Sequence, residues 1–282
     1  MKTIISASRR TDIPAFYWDW LIEQLKQGYT DVPNPLYPEK VSHVDLSPEK
    51  IHSIVLWSKD MRNVLKNQDV TDLYNLYFQY TITGYSKLLE PNVPAYETSI
   101  ETLKRLREKY EAKQFNIRFD PIIISTNGEV VPNLKNPEQA RLDMFNRLCK
   151  DLHDLDMDDC RVTTSIMSVY GHVEQNMDTS GCIYKSLTAE DEINFMKKMS
   201  EIAKTWNRDI YMCANDRFVN AGIDNIKKGH CVDGDILEDL FGKCSHAKDG
   251  AQRKECGCIK SRDIGAYNQP CHFKCAYCYA RK

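Results

Sequence analysis

The chain has 282 residues, with 38 Lys and Arg against 40 Asp and Glu, a formal net charge of −2 and 42% hydrophobic residues. That length suits one large core or two small ones, and the apolar content with nearly cancelling charge excludes a disordered chain. No stretch approaches the roughly 20 apolar residues that span a bilayer, and the charge balance gives no general pull toward nucleic acid or an anionic membrane.

Met1-Lys2-Thr3-Ile4-Ile5-Ser6 runs directly into Ser8-Arg9-Arg10-Thr11-Asp12, which leaves a secretory signal no apolar core. A cytoplasmic protein is expected. Thr3 to Ser8 reads as a buried parallel strand, followed by a helix from near Pro14 that carries Phe16, Trp20, Leu21 and Leu25. Ser53 to Ser58 is a second strand and Leu76 to Thr83 a third, stopped by Gly84. A helix from about Ser99 to Ala112 aligns Ile100, Leu103, Leu106 and Tyr110. Phe115 to Ile124 is the fourth strand, with Pro121 expected to end its pairing early.

The next helix starts at Pro137 and aligns Leu142, Phe145, Leu148, Leu152 and Leu155. Arg161 to Val169 is the fifth strand. Thr188 reads as an N-cap for a helix burying Ile193, Met196, Met199, Ile202 and Trp206, and Asp209 to Cys213 is the sixth strand. Six strands alternating with helices predict a parallel sheet, either curled into a partial barrel or open. From Asn220 the rhythm is lost, with one short helix expected at about Asp235 to Phe241. We therefore divide the chain into a strand–helix unit, 1–225, and a cysteine-rich extension, 226–282. The extension carries 11 Lys and Arg against 7 Asp and Glu and is too small to bury its own core, so metal and packing should hold it.

Polar residues crowd the expected strand ends, where parallel α/β folds place ligands. They are Ser6, Ser8, Arg9, Arg10 and Asp12; Trp57, Ser58, Lys59 and Asp60; Gln79, Thr81 and Thr83; Arg118 and Asp120; Thr163 and Ser165; Cys213 and Asn215. Singly each is a solvated loop residue or a cap, and Asp12 serves equally as the N-cap ahead of Pro14. Together they outline one polar cavity.

Of the 11 cysteines, Cys149, Cys160 and Cys182 are scattered, and the first two read as small buried hydrophobes. The other eight crowd the segment from Cys213 onward, where clustered thiols in a reducing compartment read first as metal ligands. Cys271, Cys275 and Cys278 form a Cys-x3-Cys-x2-Cys loop, able to hold three irons of a cubane and leave the fourth open. A zinc site wants four ligands, and His272 sits awkwardly inside the loop. Cys213, Cys231, Cys256 and Cys258 supply four more thiolates, enough for a second [4Fe–4S] cluster or a structural zinc. Cys244, beside Ser245 and His246, is a rival fourth ligand.

The run Cys271-His272-Phe273-Lys274-Cys275-Ala276-Tyr277-Cys278 resembles the cluster loop of radical S-adenosylmethionine enzymes, including the aromatic residue before the third cysteine. Tyr277-Cys278-Tyr279-Ala280 is similar to the loop of spore photoproduct lyases. Over nearly its whole length the chain resembles an uncharacterised prokaryotic family with this loop at the C-terminus, through Ser6-Ala7-Ser8-Arg9-Arg10-Thr11-Asp12-Ile13-Pro14, Arg118-Phe119-Asp120-Pro121, Gln252-Arg253 and Asp263-Ile264-Gly265-Ala266-Tyr267. The resemblance implies a partial (β/α)6 barrel, and a cluster loop at the chain's end can reach its strand ends only if the cysteine-rich extension folds over the barrel mouth.

The resemblance also implies a [4Fe–4S] cluster on Cys271, Cys275 and Cys278, S-adenosyl-L-methionine on the open iron, and a 5′-deoxyadenosyl radical that abstracts hydrogen from a small-molecule or peptide substrate. A flavodoxin- or ferredoxin-type protein would be the reductant. The superfamily places this loop after its first strand and carries a Gly-Gly-Glu run, and this chain does neither. Arg9, Arg10, Lys59 and Asp120 are accordingly expected as catalytic candidates, and Tyr277, Gln79, Thr81, Arg118 and Ser165 as cofactor contacts. The competing reading is a zinc- or iron–sulfur-stabilised α/β barrel with a non-radical role, as a hydrolase, a lyase or a nucleic-acid binder. The absence of a basic and aromatic stripe weighs against nucleic acid.

Overall fold

The computed structural model describes residues 2–280 except 35, 36, 38, 170 and 279. Tyr279 of the cysteine motif, with Arg281 and Lys282, therefore lies outside the described residues. Apolar runs and caps place the elements much as local chemistry dictates. Asp12 caps the helix Ile13–Phe16 by accepting from the Ala15 N–H at 3.0 Å, and Asn136 caps Pro137–Asp154 by accepting from Gln139 at 3.1 Å. Thr188 and Asp191 form a reciprocal capping box on Ala189–Thr205. Caps of this kind are each worth about 1 kcal/mol. The helix Tyr96–Arg107 begins earlier than its apolar stripe predicts.

Ten strands are present among the described residues. They are β1 (Thr3–Ala7), β2 (Tyr29–Pro33), β3 (Val41–Asp45), β4 (Ile51–Ser58), β5 (Leu76–Thr81), β6 (Phe115–Arg118), β7 (Arg161–Thr164), β8 (Ile210–Cys213), β9 (Ile226–Gly229) and β10 (Arg262–Asp263). The strands β2 and β3 pair as an antiparallel hairpin; the other eight form one parallel sheet in the order β10-β1-β4-β5-β6-β7-β8-β9. The fold is α/β and dominated by this sheet. From β1 to β9 each new strand of this sheet adds on the same side, and β10 alone returns to the other side of β1.

All six predicted strands are in the sheet. The fourth and fifth stop at Arg118 and Thr164, well before Ile124 and Val169, and the third at Thr81. Pro121 offers no N–H to a ladder, and beyond it the chain makes isolated bridges in place of a strand, Ile122 to Ile166, Ser125 to Tyr184 and Glu129 to Tyr85. Four strands carry no readable sequence signal. The extension supplies two of them, β9 at one edge of the sheet and β10 at the other, so it shares the sheet with 1–225. Its helix, Gly234–Phe241, lies where the apolar pattern predicts. The helix Gly171–Ser180 is unpredicted.

Side chains alternate across the sheet with the strand period of two. Ile5, Ala7, Ile54, Leu56, Phe78, Tyr80, Ile117, Val162 and Met212 face the helices in one large core. Ile4, Val55 and Tyr77 point the other way, where Val232, Leu237, Cys244, Cys256, Cys258 and Ile259 cover them. The extension thus packs on the face opposite the helices. No helix among the described residues is long and apolar enough to cross a membrane.

Candidate functional site

The cysteine motif docks at the carboxyl ends of β1, β4 and β5. Its seat is apolar: Phe273, Cys275, Ala276 and Tyr277 pack with Tyr85, Leu89, Val93 and Ile123. Phe273 also meets Phe16 with ring centroids 4.6 Å apart. Backbone pairing fixes the loop, from the Ala276 N–H to the Leu89 carbonyl at 2.9 Å and from the Asn92 side chain to the His272 carbonyl at 2.7 Å. Lys274 takes the left-handed conformation, φ 57°, that folds the loop between the cysteines, and the Cys278 N–H reaches the Cys275 carbonyl at 3.2 Å. Cys275 is buried, Cys278 half-buried and Cys271 exposed. The three thiols lie within electrostatic range of one another.

Lys59, just after β4, is the cation of this site. Its ammonium pairs with Glu90 at 2.8 Å and lies 5.5 Å from the Tyr277 ring centroid. Burial alone lowers it, but Glu90, Cys275 and Asp120 outweigh burial and hold it above its ordinary value. Glu90 is buried and also accepts from the Thr83 hydroxyl at 2.7 Å and from the Tyr277 hydroxyl. Packing around its sulfur pushes the Cys271 thiol up to about 11 although the residue's outer surface is exposed, and Asp12 and Cys278 add to the rise. Asp12 turns out to cap and to brace at once. Besides Ala15 it accepts from the Ser58 hydroxyl at 2.6 Å and the Lys59 N–H at 3.0 Å, and burial raises its carboxyl to about 7.

A second group of thiols gathers against the covered face. The Cys213 and Cys231 sulfurs are 3.3 Å apart, Cys231 also contacts Cys258, and Cys258 contacts Cys256. Arg118 Nη1 donates to Cys231 Sγ at 3.0 Å while its Nη2 holds Asp120 at 2.6 Å. Arg9 is within electrostatic range of Cys256, and the Arg9 and Arg118 guanidiniums lie 5.3 and 5.7 Å from the Trp57 ring centroid. Cys244 packs in the same apolar cluster as Cys231, Cys256 and Cys258 but has other polar neighbours. Its neighbours are Glu238 and His246, a group whose ligand atoms lie within 4.8 Å of one another and could hold one ion. There Glu238 and His246 already form an exposed pair at 2.8 Å.

The structure therefore sorts the predicted residues into two walls joined by charged side chains. Lys59, Tyr277, Cys271, Cys275 and Cys278 meet at one wall. Arg9, Arg118, Cys213, Cys231, Cys256 and Cys258 meet at the other, and Asp120 lies between, paired with Arg118, accepting from Ser165 at 3.3 Å and within range of Lys59. Gln79 is fully buried, its amide donating to the Cys231 carbonyl and accepting from Asn116 at 3.0 Å, so it braces the second wall. Thr81 lies in a small cleft with Thr83 and Glu90. Arg10 turns aside to the Gly265 carbonyl at 2.9 Å and stacks on Tyr267. Beside it, Arg9, Arg10, Gln252, Ser261, Asp249 and Asp263 line a cavity of about 260 Å³ at the β10 edge.

Two carboxylates that sequence reasoning did not single out as site residues organise both walls. Glu90 sits in a loop with no motif of its own. Asp263, read only as part of a turn, accepts from Ser6 at 3.0 Å, Ser8 at 2.7 Å, the Arg9 N–H at 2.8 Å and the Gly265 N–H at 3.0 Å, fastening β10 to the loop after β1. The match of Ser6–Pro14 and Asp263–Tyr267 to one family pattern was the available signal, since the two segments touch.

Residues 4–280 match the family described as a domain of unknown function, DUF1848, and the chain belongs to that family. No curated protein and no solved structure matches it.

Proposed function

We propose that the protein is a radical S-adenosylmethionine enzyme whose cluster is held by Cys271, Cys275 and Cys278. The observation that carries this reading is the position of the three thiols. They converge at the carboxyl ends of the parallel strands, where such folds bind ligands, and they face the half-buried Lys59 ammonium and a polar interior. The unidirectional sheet is read with it as a partial barrel, the extension lying over its inner face.

The donor set fits an open-cornered [4Fe–4S] cluster. Three sulfurs come from one short loop, the outermost is exposed, and Lys59 stands ready to offset thiolate charge. When bound, the cluster supplies the electron that cleaves the sulfonium of S-adenosyl-L-methionine and yields a 5′-deoxyadenosyl radical for hydrogen abstraction. The chain's own groups do the rest. Phe16, Phe273 and Tyr277 shield the loop from water, Glu90 and Tyr277 fix the Lys59 ammonium, and Asp12 anchors the turn that presents it. Lys59, Arg118 and Asp120 are the charged groups left to meet a polar substrate between the walls, with a flavodoxin- or ferredoxin-type protein as reductant.

The test is anaerobic reconstitution with iron and sulfide, followed by dithionite and S-adenosyl-L-methionine. The wild-type chain should release 5′-deoxyadenosine, and Cys271→Ala/Cys275→Ala/Cys278→Ala should release none while keeping its far-ultraviolet circular dichroism. Equal cleavage by the triple variant would overturn the assignment.

A further inference from the structure

We propose that Glu238, Cys244 and His246 form a zinc site at the end of the extension's helix, with Asp235 as the carboxylate that orients the histidine and water at the fourth position. None of these residues belongs to the cysteine motif or to the group of Cys213, Cys231, Cys256 and Cys258, so the inference stands apart from the radical reading.

Local structure brings the donors together. Asp235 and Glu238 lie three residues apart on the helix Gly234–Phe241, and so on one face of it. Gly242 ends that helix with φ 86°, a conformation that favours glycine, and the buried His52 imidazole donates to its carbonyl at 2.8 Å. The chain therefore doubles back, and Cys244 and His246 return along the helix it has just left. Cys244 points inward: it is 4% exposed, shares an apolar cluster with Leu237, Ile4 and Val55, and places its Sγ 3.6 Å from the Gly234 carbonyl. His246 lies over the helix's first turn. A side-chain carbon at Gly234 would sit 2.8 Å from its Nδ1 and 3.0 Å from its Cε1, and would push the imidazole away.

The donor set selects the metal. The ligand atoms of Glu238, Cys244 and His246 lie within 4.8 Å of one another, and among the described residues no other three such donors do. A tetrahedral zinc with Zn–S of about 2.3 Å and Zn–N and Zn–O of about 2.0 Å needs these donors about 3.3–3.6 Å apart. Glu238 Oε2 and His246 Nε2, now in contact at 2.8 Å, reach that spacing by small rotations of exposed side chains, and the ion takes the place of the proton they share. The other ring nitrogen already faces its partner. Nδ1 lies 3.6 Å from Asp235 Oδ1, and an outer carboxylate of this kind fixes the tautomer and ring orientation of a metal-bound histidine. One thiolate, one imidazole and one carboxylate suit zinc, whereas magnesium and calcium take oxygen donors. Bound there, zinc ties residues 244–246 to the helix and secures the cover that Leu237 and Cys244 make over Ile4 and Val55.

The test uses the full chain, reduced and freed of metal, then loaded with zinc and desalted without oxygen. Glu238→Ala and His246→Ala replace exposed side chains and leave every cysteine in place, so whatever the other thiols hold is common to all the proteins. Each variant should carry about one zinc per chain fewer than wild type, and the double variant no fewer than either single, since all three lose the same ion. Zinc should also slow tryptic cleavage after Lys243, exposed between two of the ligands, several-fold in wild type and in neither variant. Zinc equal to wild type in either variant, or cleavage after Lys243 indifferent to zinc in wild type, would overturn the proposal. A reconstituted chain that releases no 5′-deoxyadenosine leaves this count unchanged and overturns only the radical reading.

Discussion

Glu90→Gln is the sharpest probe of how the cysteine loop is seated. The carboxylate is 3% exposed, receives the Lys59 ammonium at 2.8 Å, and meets the hydroxyls of Thr83 and Tyr277. The amide keeps the size and one acceptor but removes the charge. Lys59, its side chain 15% exposed, is then a cation with only Asp120 and the thiols to answer it. Breaking a buried pair at one partner costs about 3–5 kcal/mol, and the retained acceptor places this change near the lower end, about 3 kcal/mol. At roughly 2–4 °C per kcal/mol for a chain of this size, the metal-free protein should lose about 6–12 °C in Tm. Thermal unfolding followed by circular dichroism at pH 7 reads this directly. Lys59→Met should destabilise comparably, because it strands the carboxylate. The double variant should recover much of either loss, since an apolar replacement for a buried pair is close to neutral. A shift below about 2 °C for Glu90→Gln, or a double variant as unstable as the summed singles, would refute the role given to this pair.

Two further changes test the seating of the extension and the brace beside the motif. A side-chain carbon at Gly265 would lie 2.1 Å from Ser8 Oγ and 2.5 Å from Ser8 Cβ, and the latter sits too near the backbone to swing away. Gly265→Ala should therefore cost about 1–3 kcal/mol and expose the 262–267 segment to limited proteolysis; unchanged cleavage rates would contradict the docking. Asp12, raised by burial to about 7, keeps its proton in the native chain where the unfolded chain has released it. Its contribution is thus full below about pH 4 and declines as pH rises to about 7, by about 4 kcal/mol. In urea unfolding of the metal-free chain, wild type should lose stability relative to Asp12→Asn across that window, and parallel pH curves would show the carboxyl to be unperturbed.

Local chemistry made much of this molecule legible in one dimension. Apolar runs of period two and stripes of helical period located six strands of the sheet and the long helices Pro137–Asp154 and Ala189–Thr205. These signals survive because each residue's burial repeats with the backbone's own geometry. The spacing of Cys271, Cys275 and Cys278 picked out a loop, and the structure places it at the strand ends. The grouping of Cys213, Cys231, Cys256 and Cys258 was likewise readable from density of cysteines alone, although the rivalry with Cys244 was not resolved until its side chain met Glu238 and His246.

Tertiary structure decided what no periodicity encodes. Strands of two and four residues, β10 and β9, are too short to establish a pattern, and they form only because an existing parallel edge offers them partners. Gln79 looked like a ligand contact and is instead a buried brace, because its neighbour across space is the Cys231 carbonyl. Glu90 and Asp263 carry no motif, yet one meets Tyr277 across 187 residues and the other meets Ser6 across 257. Sequence patterns report what each residue prefers of its surroundings. Which charges and thiols become those surroundings depends on chain crossings hundreds of residues long, and these follow from packing of the whole sheet.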